Sequence, residues 1–226
     1  MVTARFSETD HDKVTQAVRA AEAKSAGEIV TIVAARSDAY HDVGLHVAVL
    51  AMLLVPIGFG LAPQGLIDWA TALFLGWNAE PSRAQFALWL FVKLALVFLL
   101  VRYALAYLPL RMAFTPRRTK QRRVHRRAVE AFRTGCERKT SGRTGVLIYL
   151  SLAERRAEIV ADQAITAQVS AEVWVAALTA LIDEVKAGRA ADGLAKCVDM
   201  VGDVLAPILP PVAQDQNELP DRLVEL

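Results

Sequence analysis

The chain has 226 residues, room for one substantial domain or two small ones. Its 54% hydrophobic content and mean hydropathy of +0.30 lie above what a soluble α/β protein usually shows, and the excess falls almost wholly between residues 44 and 108, which excludes a purely soluble protein. A net charge of +2 excludes little by itself; where the charges fall says more.

Residues 1–43 contain no apolar run followed by a small-residue cleavage site, so they do not read as a secretory signal and are expected to start in the cytoplasm. Ser7 or Thr9 can cap a helix reaching about Lys24, with Val14, Ala17, Val18 and Ala21 at helical spacing. The β-branched run "GEIVTIVAARS", bounded by Gly27 and the polar "RSDAYHD", predicts a strand over 27–37.

"GLHVAVLAMLLVPIGFGLA", residues 44–62, has no Asp, Glu, Lys or Arg. As a helix it spans about 29 Å, close to the apolar thickness of a bilayer. Pro56 predicts a kink, and His46 sits at interface depth in the first turn. A second apolar run, residues 86–108, carries Lys93 and Arg102 near enough to its ends for both to snorkel. Between them "LIDWATALFLGW" is too short to span, and Trp69 and Trp77 suit an interfacial segment.

Arg111, Arg117, Arg118, Lys120, Arg122, Arg123, Arg126 and Arg127 follow the second run, whereas residues 63–85 offer only Arg83. Positively charged flanks stay inside, so both termini and the soluble domain are expected in the cytoplasm and the short loop outside, in a two-span inner-membrane protein. The basic run could neutralise nucleic-acid phosphates. Its position just after a span points instead to a surface of Arg117, Arg118, Lys120, Arg122, Arg123, Arg126 and Arg127 on anionic lipid headgroups, with no nucleic-acid partner. Two helices are too few to enclose a channel unless the protein forms a homo-oligomer.

A helix is predicted over 117–139, with Val124, Ala128, Ala131, Phe132 and Cys136 as its apolar stripe; "TSGRTG" ends it. "GVLIYLSL" has the continuous apolarity of a strand covered on both faces, "AERR" turns, and "AEIVADQ" returns, giving a hairpin over 145–163. A helix over 167–187 carries Val169, Val173, Trp174, Ala177, Leu178 and Leu181. A last one, over 190–205, carries Leu194, Cys197, Val198, Val201 and Val204. Residues 209–226 read as a polar tail without a periodic face. Cys136 and Cys197 are too few for a metal site and read as reduced core thiols rather than a disulfide.

Neither soluble piece is a domain alone, because a lone strand cannot bury itself. A membrane hairpin returns the chain to the side it left. We therefore expect one α/β domain of about 140 residues, made of 1–43 and 109–208 and interrupted by the hairpin 44–108.

The stretches "SAGEIVTIVAARS", "TSGRTGVLIYLSLAERRAEIVADQAI" and "KAGRAADGLAKCVDMVGDVLAPILPP", with Trp174 between them and "NELPD" near the end, resemble the TPM domain family of bacterial membrane proteins and photosystem II repair proteins. The resemblance implies an α/β/α sandwich with a small central sheet. Members of that family have been described as acid phosphatases, calcium binders, or assembly and repair factors for membrane complexes. They usually hold the domain outside the cytoplasm, an arrangement from which the basic flank and the split domain depart.

No Gly-rich phosphate loop, zinc-protease motif, serine elbow or Cys/His metal spacing is present, and the four histidines lack partners in sequence. Carboxylates remain. Asp162 ends the second hairpin strand, Glu28 opens the first strand, and Asp38 follows it. Ligands collect outside strand ends, so Asp162 and Asp38 could share an edge and, with Glu28, hold calcium. The plainer alternatives are that Asp162 caps a turn and that Glu28 is a solvated strand end. The favoured function is a non-catalytic assembly, scaffolding or quality-control factor contacting another membrane protein or complex. The alternative is a metal-dependent, acid-type phosphatase around Asp162.

Overall fold

A computed structural model describes residues 6–75, 82–135, 144–211 and 219–226. Helix α1 (Glu8–Glu22) leads into strand β1 (Glu28–Ala34). Helices α2 (His41–Leu61), α3 (Gln64–Leu75), α4 (Arg83–Ala104) and α5 (Leu108–Phe114) follow, then α6 (Arg117–Gly135). Strands β2 (Gly145–Ser151) and β3 (Arg156–Ala161) precede α7 (Gln163–Thr166), α8 (Ala171–Lys186), α9 (Ala190–Leu205) and β4 (Val224–Glu225). The chain divides into two compact units: Met1–Ala39 together with Arg117–Leu226, and Tyr40–Pro116.

In the first unit the strands form a mixed sheet of order β3-β2-β1-β4. β1 runs parallel to β2, with Glu28 opposite Gly145 and Ala34 opposite Ser151, and parallel to β4 on its other side. β2 and β3 form the antiparallel hairpin expected around "AERR". β1 and β2 are buried along their whole length because each has a strand on either side and helices above and below. This is why they read as apolar runs and not as alternating ones.

The alternating sides of those strands build two cores. Ile29, Val33, Val146, Ile148 and Leu150 pack with Val14 and Val18 of α1, Ala177 and Leu181 of α8, and Leu194, Cys197, Val198 and Val201 of α9. Val30, Ile32, Ala34, Leu147 and Tyr149 pack with Val124, Ala128 and Phe132 of α6. The result is the α/β/α sandwich expected from the sequence. Ser7 starts α1 through a capping box with Asp10, one of the two candidate caps.

Two elements of this unit differ from their sequence reading. The helix expected from residue 167 starts later, after Ser170, because 163–166 form the separate short α7. The tail is not merely polar: Leu219 and Leu223 are buried, and Val224–Glu225 supplies β4. Asp221 and Glu225 pair with Arg19 and His11 of α1, at 2.9 and 2.7 Å, which ties the tail to the sandwich. A two-residue strand is too short for a period-2 signal. Cys136 and Trp77 lie outside the described residues.

In the second unit α2 and α4 pack on each other along two apolar faces. Phe59 meets Phe86 and Trp89 at ring separations of 5.8 Å, and the Lys93 ammonium sits 3.7 Å over the Trp89 ring. Both helices have the length and hydropathy to cross a membrane: 21 residues at 2.2 and 22 residues at 2.3. α2 is continuous through Pro56. The second apolar run ends at Ala104 instead of residue 108, and Arg111 explains the ending. Its buried guanidinium donates from Nε to the Leu105 carbonyl at 2.8 Å and from Nη2 to the Ala106 carbonyl at 2.8 Å. It thereby satisfies acceptors that the end of α4 would otherwise leave open.

Candidate functional site

Parallel strands end their carboxyl termini on one side of the sheet, and ligands of α/β proteins collect there. β1 and β2 meet this condition. The segment after β1, "RSDA", and the arginine-bearing face of α6 enclose a polar pocket of about 340 Å³. Arg36, Asp38, Arg123, Arg126, Arg127 and Glu130 supply its charge, and Ser37 a hydroxyl.

The α6 spacing explains how one helix serves two purposes. Val124, Ala128 and Phe132 recur at i, i+4 and i+8 and face the sheet. Arg123, Arg126, Arg127 and Glu130 flank that stripe on the pocket side. Asp38 bridges two of the arginines: its Oδ2 accepts from Arg123 at 3.1 Å and from Arg126 at 3.4 Å. Arg127 lies 3.4 Å from Glu130.

Behind the pocket a buried polar chain fixes the loop. The Ser37 N–H donates to Glu154 at 3.0 Å, and Glu154, buried in the β2–β3 turn, also accepts from the Ser151 hydroxyl. The Ser37 and Tyr149 hydroxyls share a hydrogen bond of 3.1 Å. Burial pushes the Tyr149 phenol above its ordinary pKa, opposed by its bonds to Ser37 and Arg127, so it stays neutral. Partial burial lowers the Lys120 ammonium pKa, with the Glu154 carboxylate acting in the other direction.

The structure separates the sequence-predicted carboxylates. β3 is antiparallel to β2 and β1 parallel to it, so the end of β3 and the start of β1 lie at the same end of the sheet, on either side of β2. Asp162 and Glu28 therefore share one end of the sheet, and Asp38 lies beyond the other. The shared edge expected for Asp162 and Asp38 does not form, because the hairpin reverses the chain between them. Asp162 exchanges two hydrogen bonds with Gly145. Its Oδ2 accepts from the Gly145 N–H at 2.9 Å, and its own N–H donates to the Gly145 carbonyl at 3.1 Å. It precedes α7 without a side-chain cap bond, so the turn-cap alternative is replaced by a staple across the strand ends. Glu28 is 7% exposed, not a solvated strand end. Among the described residues no group of three or more His, Cys, Asp or Glu side chains is placed to hold a metal ion; of the three carboxylates expected to hold calcium, Asp162 and Glu28 lie at one sheet end and Asp38 at the other.

The basic run divides. Arg117, Arg118 and Arg122 are exposed and do not line the pocket; Arg123, Arg126 and Arg127 do. Sequence reasoning missed Arg36, Ser37, Tyr149 and Glu154. The usable signal was their position in the last residues of the predicted first strand and within or just after β2, where the carboxyl ends of parallel strands meet.

No curated protein matches the chain in sequence. Among solved structures, the NMR structure of the BA42 protein from the psychrophilic bacterium Bizionia argentinensis is similar, with a TM-score of 0.56 at 16% identity, covering 100% of this chain and 98% of that chain. At that identity the likeness is one of fold. Residues 109–204, which include α6, the β2–β3 hairpin, α8 and nearly all of α9, match the TPM domain family.

Proposed function

We propose that the protein is a membrane-anchored TPM-type module that acts without catalysis, as an assembly, scaffolding or quality-control factor for inner-membrane complexes. One observation carries the anchoring: α2 and α4 leave Leu50, Leu53, Ile57, Leu88, Phe91 and Leu100 exposed, each by more than half its surface. At about 25 cal/mol per Å² of apolar surface, two such helices would be strongly unfavourable in water and are stabilised by a bilayer. The distribution of Lys and Arg supports cytoplasmic termini, and the basic flank supports contact with anionic headgroups. The non-catalytic role rests on Asp162, whose carboxylate is engaged in holding Gly145.

After membrane isolation, the protein should resist alkaline carbonate extraction. A reporter fused after Leu226 should behave as cytoplasmic and one inserted near Asn78 as external. Extraction into the soluble fraction would reject the anchor; inverted reporters would reject the orientation. For the assembly role, loss of the protein should lower the amount of at least one assembled inner-membrane complex on native gels. Hydrolysis of a phosphomonoester by the purified full chain, abolished by Asp162→Ala, would instead establish the phosphatase alternative. A divalent cation is not required for this role. If one binds, Glu28 and Asp162 at their common sheet end are where it would sit, and a higher thermal midpoint in calcium than in chelator would reveal it.

A further inference from the structure

We infer that the pocket formed by α2, α3 and α4 binds a long-chain fatty acid, its carboxylate on the Lys93 ammonium and its chain against the apolar walls. The inference rests on the membrane reading of α2 and α4, and the pocket lies wholly within the second unit.

The structure places Lys93 where a cation is costly. α4 starts at Arg83, so Lys93 lies ten residues, or about 15 Å, along a helix of 22 residues. In a bilayer that is close to the midplane, where an ionisable side chain is expensive and marks a functional site. The side chain folds back by one turn, and its ammonium sits 3.7 Å from the centre of the Trp89 ring. A ring face attracts a cation but carries no net negative charge. Among the described residues Lys93 has no carboxylate partner and no hydrogen bond.

The space beside the ammonium selects the anion. The pocket holds about 210 Å³ and is walled by Phe59, Leu66, Ile67, Trp89 and Leu90. Among the described residues that line it, Lys93 carries the only charge. Gly58 opens the α2 wall, where an added Cβ would meet nothing within 4 Å. One cation in apolar walls matches a ligand with one anionic group on one apolar chain. A phospholipid matches less well, because its phosphodiester and ester oxygens would meet hydrocarbon without donors.

The full chain in uncharged detergent is titrated with oleate, methyl oleate and dioleoylphosphatidylglycerol, and the bound fraction is read by native mass spectrometry. One oleate should bind per chain, about tenfold or more tighter than its methyl ester, the discrimination expected of one charge-assisted contact. Lys93→Gln should weaken oleate binding by about the same factor, tenfold or more. Arg102→Gln, the same charge change in the last turn of α4, should alter it less than about twofold. Gly58→Leu should fill the pocket and weaken oleate binding about tenfold or more. Gly60→Leu has equal room but lies outside the pocket, and should leave binding unchanged.

Absence of oleate binding overturns the site, as does equal binding of oleate and its methyl ester. So do phosphatidylglycerol binding as tightly as oleate and equal losses within either pair of variants. An unchanged circular dichroism spectrum shows that a loss is local, and the ester comparison needs no variant at all. Carbonate resistance without oleate binding rejects the pocket and leaves the anchor standing. Carbonate extraction rejects the anchor, on which the pocket's access to membrane lipid depends.

Discussion

Asp162 holds the ends of β2 and β3 together through both its backbone and its carboxylate. At 7% exposure, a lost acceptor leaves a buried Gly145 N–H without its partner. Asp162→Ala should therefore lower the unfolding free energy by about 1–3 kcal/mol. Asp162→Asn keeps an oxygen acceptor and should lose clearly less in denaturant titrations. If Asn and Ala lose equally, the carboxylate charge matters more than the bond. Cys197, buried against the α1–α9 core, is a second residue with a measurable consequence: burial pushes its thiol from an ordinary 9.0 up to about 12. The folded thiol should resist Ellman's reagent at neutral pH in a Cys136→Ser background and react only on denaturation. Between pH 9.0 and about 12 the unfolded chain loses the thiol proton while the folded chain keeps it. Stability then falls as pH rises through that window, and Cys197→Ala should remove one proton's worth of that slope.

Helix pairing depends on where a side chain is missing. α1 and α9 approach so closely that a Cβ on Gly202 would lie 2.6 Å from the Ala21 Cβ. Gly202→Ala must push the helices apart, and about 1–3 kcal/mol of destabilisation is expected in thermal unfolding, despite alanine's better helix propensity. A stabilised variant would show that the pair is looser than this. α1 and α9 are further joined across their exposed edges by Lys13 with Asp192 and Lys24 with Asp203, pairs whose exposure makes each worth little. The periodic helices were legible in the sequence because Val14, Val18, Leu194, Val198 and Val201 repeat at helical spacing. The α7–α8 break was not legible: no Gly or Pro interrupts the chain between Asp162 and Ser170, where Ile165 is buried and Ser170 is extended before α8.

At the scale of the molecule, two units with separate packing come from one chain. The first joins residues on both sides of Tyr40–Pro116 through the β1–β2 pairing. Replacing Tyr40–Pro116 by a Gly/Ser linker should leave a chain that remains soluble and unfolds cooperatively, because every strand and both cores of the sandwich lie outside the excised segment. Aggregation or a non-cooperative melt would show that the second unit contributes to the fold of the first.

The sequence by itself determined the apolar helices, β1, the β2–β3 hairpin and the helix faces, because each is written in local periodicity and in runs too apolar for solvent. It also located the candidate carboxylates and the basic run, residue by residue. Only the tertiary structure decided which of them meet. The antiparallel return of β3 sends Asp162 to the opposite end of the sheet from Asp38. The parallel pairing of β1 with β2 instead places Arg36 and Ser37 beside the arginines of α6, more than eighty residues away in the chain. β4 likewise emerges only from β1, whose open edge gives a two-residue segment its hydrogen-bond partners. Strand direction and register are non-local, set by cores that no single stretch of sequence contains.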